Sequence, residues 1–328
     1  MTESQRLVYD GSSDNRPEDC HKDAPSHPEP YKVLPELEKA VNLAIYLRRP
    51  LLLEGDAGCG KTRLAYDVAY KLGLPLYRWD VRSSTKAQDG LYEYDAILRL
   101  HDVEVQKANP DSMQESSADD ESDDAPERRN PGNPKHYRTF GPLGMAFRMK
   151  DRPAVVLIDE IDKADLDFPN DLLTVLDEPW TFTIRETGET VMAHPEHKPI
   201  VIITSNKEKG NLPAPFLRRC LYRYVEFPND PERLKEIVDR HYAIRNATPP
   251  PKKLKDAAVE KFLETRNEQS WFKDPGTSEF LDWLKALHEF EPKPYSVTQL
   301  KKKREMLPYR ELLFKRQDDW RNSTKKAS

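Results

Sequence analysis

Leu51-Leu52-Leu53-Glu54-Gly55-Asp56-Ala57-Gly58-Cys59-Gly60-Lys61-Thr62 begins as a continuous apolar run and turns through three glycines into a lysine and a hydroxyl. Such a run suits a strand buried on both faces. Arg63 to Leu72, with Leu64, Ala65, Val68 and Ala69 at helical spacing, predicts the helix that follows. Strand, loop and helix are the context that G-x-x-x-x-G-K-[ST] needs to act as a phosphate cradle. The glycines let backbone N–H groups of Gly55, Asp56, Ala57, Gly58, Cys59 and Gly60 turn inward around a triphosphate, and the helix N-terminus adds positive potential. Lys61 reaches the β and γ phosphates and Thr62 offers a hydroxyl to Mg²⁺, so ATP and magnesium are the expected ligands.

Three more apolar runs read as buried strands: Leu74 to Val81, Ala154 to Ile158 and Ile200 to Thr204. Strands alternating with helices predict an α/β fold with a parallel sheet covered on both faces. Asp159 and Glu160 sit at the carboxyl end of one strand, where open α/β sheets bind ligands. Asp159 is placed to hold the Mg²⁺ shell and Glu160 to polarise the attacking water as general base. Ile202-Ile203-Thr204-Ser205-Asn206 ends another strand in small polar residues, bringing the Asn206 amide beside the γ phosphate. Asp162, Lys163 and Asp165 read as solvated charges, and Lys207 to Gly210 as a strand exit.

Leu34 to Tyr46 has a helical apolar pattern and leads into the first strand. Ahead of it, Met1 to Pro30 is polar and aperiodic, as a flexible leader would be. Asp111 to Glu127 carries no lysine or arginine and predicts an acidic disordered insertion over about 108–135. Thr181 to Val191 alternates around a Thr-Gly turn and predicts a hairpin. Beyond residue 228 the signals are helical, over Pro231 to Tyr242, Leu254 to Thr265, Ser278 to Phe290 and Ser296 to Met306, which predicts a separate helical domain over 229–328 following an α/β domain over 31–228.

The chain has 328 residues and a net charge of -5, giving no general attraction to nucleic acid or anionic membrane. No run approaches the roughly 20 apolar residues of a membrane span, and the polar start lacks a signal-peptide core, so a cytoplasmic protein is expected. Cys20, Cys59 and Cys220 lack ligand or disulfide spacing and read as reduced thiols. His194 and His197 form an HxxH without acidic or cysteine partners at ligand spacing and read as a loop.

Gly55 to Thr62, Leu157-Ile158-Asp159-Glu160-Ile161-Asp162, Thr204-Ser205-Asn206 and Pro215-Phe216-Leu217-Arg218-Arg219-Cys220 together resemble an AAA+ ATPase. Within that superfamily, FGPLGMAF at 140–147, LDFPNDLLTVLDE at 166–178 and DGLYEYD at 89–95 are similar to the MoxR-type branch, whose members are chaperone-like remodellers of proteins. The resemblance spans about residues 34–290. It implies a five-stranded parallel sheet with a C-terminal helical lid, assembled as a hexameric ring. It makes Asn206 the sensor 1 residue and Arg218 or Arg219 an arginine finger acting on a neighbouring subunit's γ phosphate. Partners with a von Willebrand factor A domain are frequent in that branch.

The sequence departs from the family where a lid helix would open with a sensor 2 arginine: Ser278 and Glu279 stand there, and Thr277 or Ser278 reads as an N-cap. Trp79 to Arg99 fits the branch's insertion after the second strand, with Tyr92 and Tyr94 facing a central pore or a partner, or packing against the sheet. A GTP switch is disfavoured, because Asn206-Lys207-Glu208-Lys209 lacks the aspartate of N-K-x-D. Lys301-Lys302-Lys303-Arg304 and Lys315-Arg316 leave a nucleic-acid motor or loader as an alternative. An ATP-switched scaffold with little turnover is the other alternative, with Glu160 as the residue that speaks against it.

Overall fold

The structure, a computed structural model, describes residues 7–13, 15–108, 129–206, 212–267, 271, 273–302 and 306–319. The acidic stretch 111–127 and the exit at 207–210 therefore lie outside the described residues, as do Lys303 and Arg304.

Five parallel strands form the central sheet: β1 (Leu51–Gly55), β2 (Leu76–Asp80), β5 (Val155–Asp159), β8 (Ile200–Asn206) and β9 (Leu221–Tyr224), in the order β2-β5-β8-β1-β9. The three strands in the middle of this order are almost wholly buried because they are nearly pure Leu, Val and Ile. Removing each such side chain from water contributes about 1.5–3 kcal/mol. Register brings Gly55 beside Asn206 and Asp80 beside Asp159, so the polar ends of neighbouring strands meet along one edge. The edge strand β9 was implied only by the family's strand count, since Leu221-Tyr222-Arg223-Tyr224 is half exposed and shows no apolar run.

Helix α1 (Pro35–Leu47) buries Leu37, Val41 and Ala44, and α2 (Lys61–Leu72) buries Leu64, Ala65 and Val68. Both pack on one face of the sheet, where Leu51, Leu53, Val155 and Leu157 point. Leu52, Val156, Ile158 and Ile203 face the other way, against α4 (Pro142–Phe147) and α5 (Phe168–Leu176). α6 (Ala214–Arg219) precedes β9. The predicted hairpin is β6 (Thr181–Thr183) paired with β7 (Thr190–Met192), turning at Gly188 with φ of 68°.

The insertion after β2 leaves and returns through two adjacent antiparallel strands, β3 (Tyr92–Tyr94) and β4 (Arg138–Phe140), with Tyr92 opposite Phe140. α3 (Ala96–Ala108) follows β3 and buries none of its residues. Tyr92 is buried, stacks on Phe182 at 6.2 Å, and its hydroxyl accepts from the Arg185 amide, so it packs against the body of the protein. Tyr94 accepts a hydrogen bond from Arg99.

After β9 come α7 (Pro231–Ile244), α8 (Lys252–Arg266), α9 (Thr277–Lys285) and α10 (Val297–Leu300). They surround an apolar cluster of their own, including Val238, Phe262, Phe280 and Trp283.

The flexible-leader expectation for 1–30 needs correction over its described part. Tyr9 is fully buried, its hydroxyl donates to Asp67 on α2, and its backbone exchanges two 2.8 Å hydrogen bonds with the Asn42 amide. Tyr9, the backbone bonds of His21 and Asp23 to Gly73 and Leu76, and the Asp19–Arg152 ion pair hold the segment, and none of them leaves a periodicity to read. No helix among the described residues is long and apolar enough to cross a membrane.

Candidate functional site

The turn between β1 and α2 works because Gly58 and Gly60 take φ of 80° and 94°, a region that disfavours any side chain. Lys61 heads α2 and is 93% buried, and its Nζ donates to the carbonyls of Gly55 (2.7 Å) and Asp56 (2.8 Å) and to Asn206 Oδ1 (3.1 Å). A buried ammonium held by neutral oxygens and, at 3.8 Å, the Cys59 sulfur is a cation set up for a stronger anionic partner. Burial pushes the neighbouring Cys59 thiol up, which keeps it protonated and unreactive.

Asp159 is the focus of the opposite wall. Its Oδ1 accepts from Thr62 (3.0 Å) and Thr204 (2.7 Å), while its Oδ2 pairs with Arg78 of β2 at 3.0 Å. Thr204 Oγ1 also accepts from the Glu160 amide at 2.8 Å, so one hydroxyl orients both acids. Glu160 takes the left-handed conformation, φ 60° and ψ 51°, which costs a residue with a Cβ about 1–2 kcal/mol. The turn brings Glu160 Oε1 to 3.4 Å from the Asn206 amide nitrogen and its other oxygen to Lys163, whose ammonium is held above its usual range chiefly by that hydrogen bond. Lys163 is thus paired rather than merely solvated. Asp162 likewise accepts from the Asn206 backbone at 2.8 Å and fixes the end of β8.

Lys61, Thr62, Arg78, Asp159, Glu160, Thr204 and Asn206 line a cavity of 820 Å³ whose remaining walls come from distant segments. Tyr31 stands over the loop, its ring 2.8 Å from where a Cβ on Gly60 would be, and burial raises its phenol. Along α7, Arg233, Ile237, His241 and Arg245 recur every fourth residue and all line the cavity. His241 is pushed down to about 4 by burial first and by Arg245 and Arg63 next. Thr277, Ser278 and Asp282 of α9 complete the wall.

Arg218 and Arg219 lie on α6, are not among the lining residues, and remain exposed, with Arg219 Nε 2.8 Å from Asp177. The structure brings together Gly58, Cys59, Gly60, Lys61, Thr62, Asp159, Glu160 and Asn206 and leaves this arginine pair apart from them in the same chain. The loop backbone, the buried lysine and the Thr62–Asp159 pair fit a magnesium-bound triphosphate by donor chemistry alone: amides and an ammonium for anionic oxygens, a hydroxyl and a carboxylate for a hard cation. His194 and His197 stack on each other at 4.8 Å, and no metal-binding cluster occurs among the described residues.

Thr204, Asp162, Arg78, Tyr31 and the α7 stripe were not foreseen. The stripe alone had a readable signal, a four-residue spacing of Arg233, Ile237, His241 and Arg245.

Residues 50–220, more than half of the chain, match the family model described as AAA domain (dynein-related subfamily). No curated protein matches the sequence. Among solved structures the chain is similar to the Thermotoga maritima RuvB Holliday junction branch migration motor, at 14% identity and a TM-score of 0.44 over 81% of this chain and 66% of that one. It is also similar to domain III of the Thermotoga maritima replication initiation protein DnaA, at 14% identity and a TM-score of 0.44 over 83% of this chain and 92% of that one. The chain thus spans slightly under two thirds of the RuvB structure's length.

Proposed function

Since the chain belongs to the AAA family, in its dynein-related subfamily, we propose that it binds and hydrolyses Mg-ATP and, as a MoxR-type AAA+ ATPase, remodels a protein partner in the cytoplasm. The observation that carries the reading is the hydrogen-bonded convergence of Thr62, Thr204, Asp159, Glu160 and Asn206 beside a buried Lys61. The MoxR-type motifs at 89–95, 140–147 and 166–178 support the finer assignment.

The residues divide the work as follows. Amides of the loop and the Lys61 ammonium grip the phosphates and neutralise charge that builds on the γ group. Thr62 and Asp159 hold the metal, which when bound draws negative charge from the phosphates. Glu160 accepts the proton of the attacking water, and Asn206, in contact with Glu160, orients that water. Thr204 keeps both acids in place and forms no contact with the reacting atoms. A further cation is supplied by Arg218 or Arg219 of an adjacent copy, which makes a ring, hexameric by family resemblance, part of the proposal. The reading divides the chain into an AAA+ domain over 31–228 and a helical lid over 229–328, consistent with the separate apolar cluster of the later helices. A client with a von Willebrand factor A domain is the expected partner.

Glu160→Gln tests the reading. It should keep ATP affinity within about twofold and lower phosphate release by roughly 10²–10⁴. Held in ATP, it should retain a protein partner that the parent releases. Steady-state turnover at the parental rate in that variant sinks the base assignment.

A further inference from the structure

The start of α9 lacks the lid arginine that the resemblance expects, yet the lid meets the phosphate loop at two places. The first contact is backbone on backbone. A Cβ on Gly276 would lie 2.9 Å from the Ala57 carbonyl oxygen, and one on Gly58 would lie 3.2 Å from Gly276 Cα. The Gly276 amide is also tied to Glu279 Oε2 at 3.2 Å, which fixes the first turn of α9 where it touches the loop.

The second contact is an arginine from another helix. Arg266, at the end of α8, is 93% buried, with its guanidinium 3.8 Å from the Phe227 ring centroid. Its Nη1 donates to the Pro275 carbonyl, directly before Gly276. Its Nη2 lies 3.3 Å from Asp56 Oδ2 in the loop and 3.9 Å from Asp274. A buried guanidinium needs a carboxylate, and the nearer one belongs to the loop. Asp56, Ala57 and Gly58 are consecutive, as are Asp274, Pro275 and Gly276, so one cation clamps two chain segments face to face.

We propose that Arg266 is a positioning residue that couples the lid to the phosphate loop: its ion pair with Asp56 holds Pro275 and Gly276 against Ala57 and Gly58. A shift of the loop is thereby passed to α9 and to the cavity wall it forms. The effect on nucleotide rests on the proposed ATP site, whereas the contact itself does not. Removing the Asp56 charge leaves the buried Arg266 with the Phe227 ring, the Pro275 carbonyl and, as its one carboxylate, the longer Asp274 contact, so the lid opens to hydrate it.

The test uses the full chain and four variants: Asp56→Asn, Arg266→Ala, Arg266→Lys and the Asp56→Asn/Arg266→Ala double. Hydrogen exchange over 276–285 is measured without nucleotide, and release of a fluorescent ADP analogue by chase. Asp56→Asn and Arg266→Ala should each raise exchange over 276–285 and speed release on the order of tenfold. The double should release no faster than either, and Arg266→Lys should keep part of the coupling. Release in the double at the product of the single effects overturns the proposal, as does unchanged exchange in Asp56→Asn. If Arg266→Ala does not fold, Asp56→Asn and Arg266→Lys decide it. If the parent binds no nucleotide, the proposed function fails while the exchange data still decide the contact.

Discussion

The polar edge of the sheet and the exposed end of α6 are built on opposite plans. Along the carboxyl edge of β5, β1 and β8, the buried lysine, two threonines and two acids are tied by hydrogen bonds of 2.7–3.4 Å, with every group held by at least one other. On α6, Arg218 and Arg219 are exposed, and a single ion pair to Asp177 holds Arg219. An exposed pair of this kind contributes little stability. That contrast, a tied network in one chain and a loosely held cationic pair on its surface, is the observation that favours the proposed division of the site between two copies.

The largest effect expected from this contrast comes from the loose side. Changing Arg218 and Arg219 together to Ala should lower turnover by about 10³-fold while leaving ATP binding nearly intact. Mixing that variant with Glu160→Gln should restore part of the activity, since each then contributes the half the other lacks. Co-assembled but inactive mixtures would argue against a shared site. A smaller effect is expected from the rigid side: Thr204→Val removes the hydroxyl that orients both Asp159 and Glu160. Leaving their partners short of a hydrogen bond should cost about 1–3 kcal/mol of stability, read by urea unfolding, and lower kcat more than it raises KM. A raised KM with kcat unchanged would show that Thr204 serves binding alone.

The smallest effect is a pH slope from the lid wall. His241 is depressed to about 4 in the folded protein against an ordinary 6.5, so only the unfolded chain takes up its proton between those values. Stability contributed by the neutral ring is therefore complete above about pH 6.5 and lost as pH falls toward 4. Around it Arg245, Arg63 and Lys285 oppose protonation and Asp282 favours it. His241→Gln should flatten the decline of Tm across that window, and an unchanged slope would place the ring in water.

What could be read from the sequence followed the sheet. Gly55 to Thr62, Asp159, Glu160 and Asn206 each end or follow an apolar run, so local pattern located them and gave the loop and the two acids their roles, while family resemblance named that of Asn206. Arg266 and Asp56 are 210 residues apart, and Tyr9 and Asp67 are 58 apart. Neither pair has a periodic signature. Thr204 was visible as a strand residue, but its role depends on a register with β5 that no spacing states. The helical lid was legible as helices, while the face of α7 turned to the cavity was set by packing against α8 and α9.

The neck formed by β3 and β4 separates the length of what lies beyond it from the sheet. Asp95 N donates to the Tyr137 carbonyl at 2.9 Å, and the Tyr137 hydroxyl donates to Asp102 at 2.9 Å, so the two chains are fastened where they part. The spacing of the two ends of the insertion is thus set by their own bonds as well as by the pairing of β2 with β5 in the sheet.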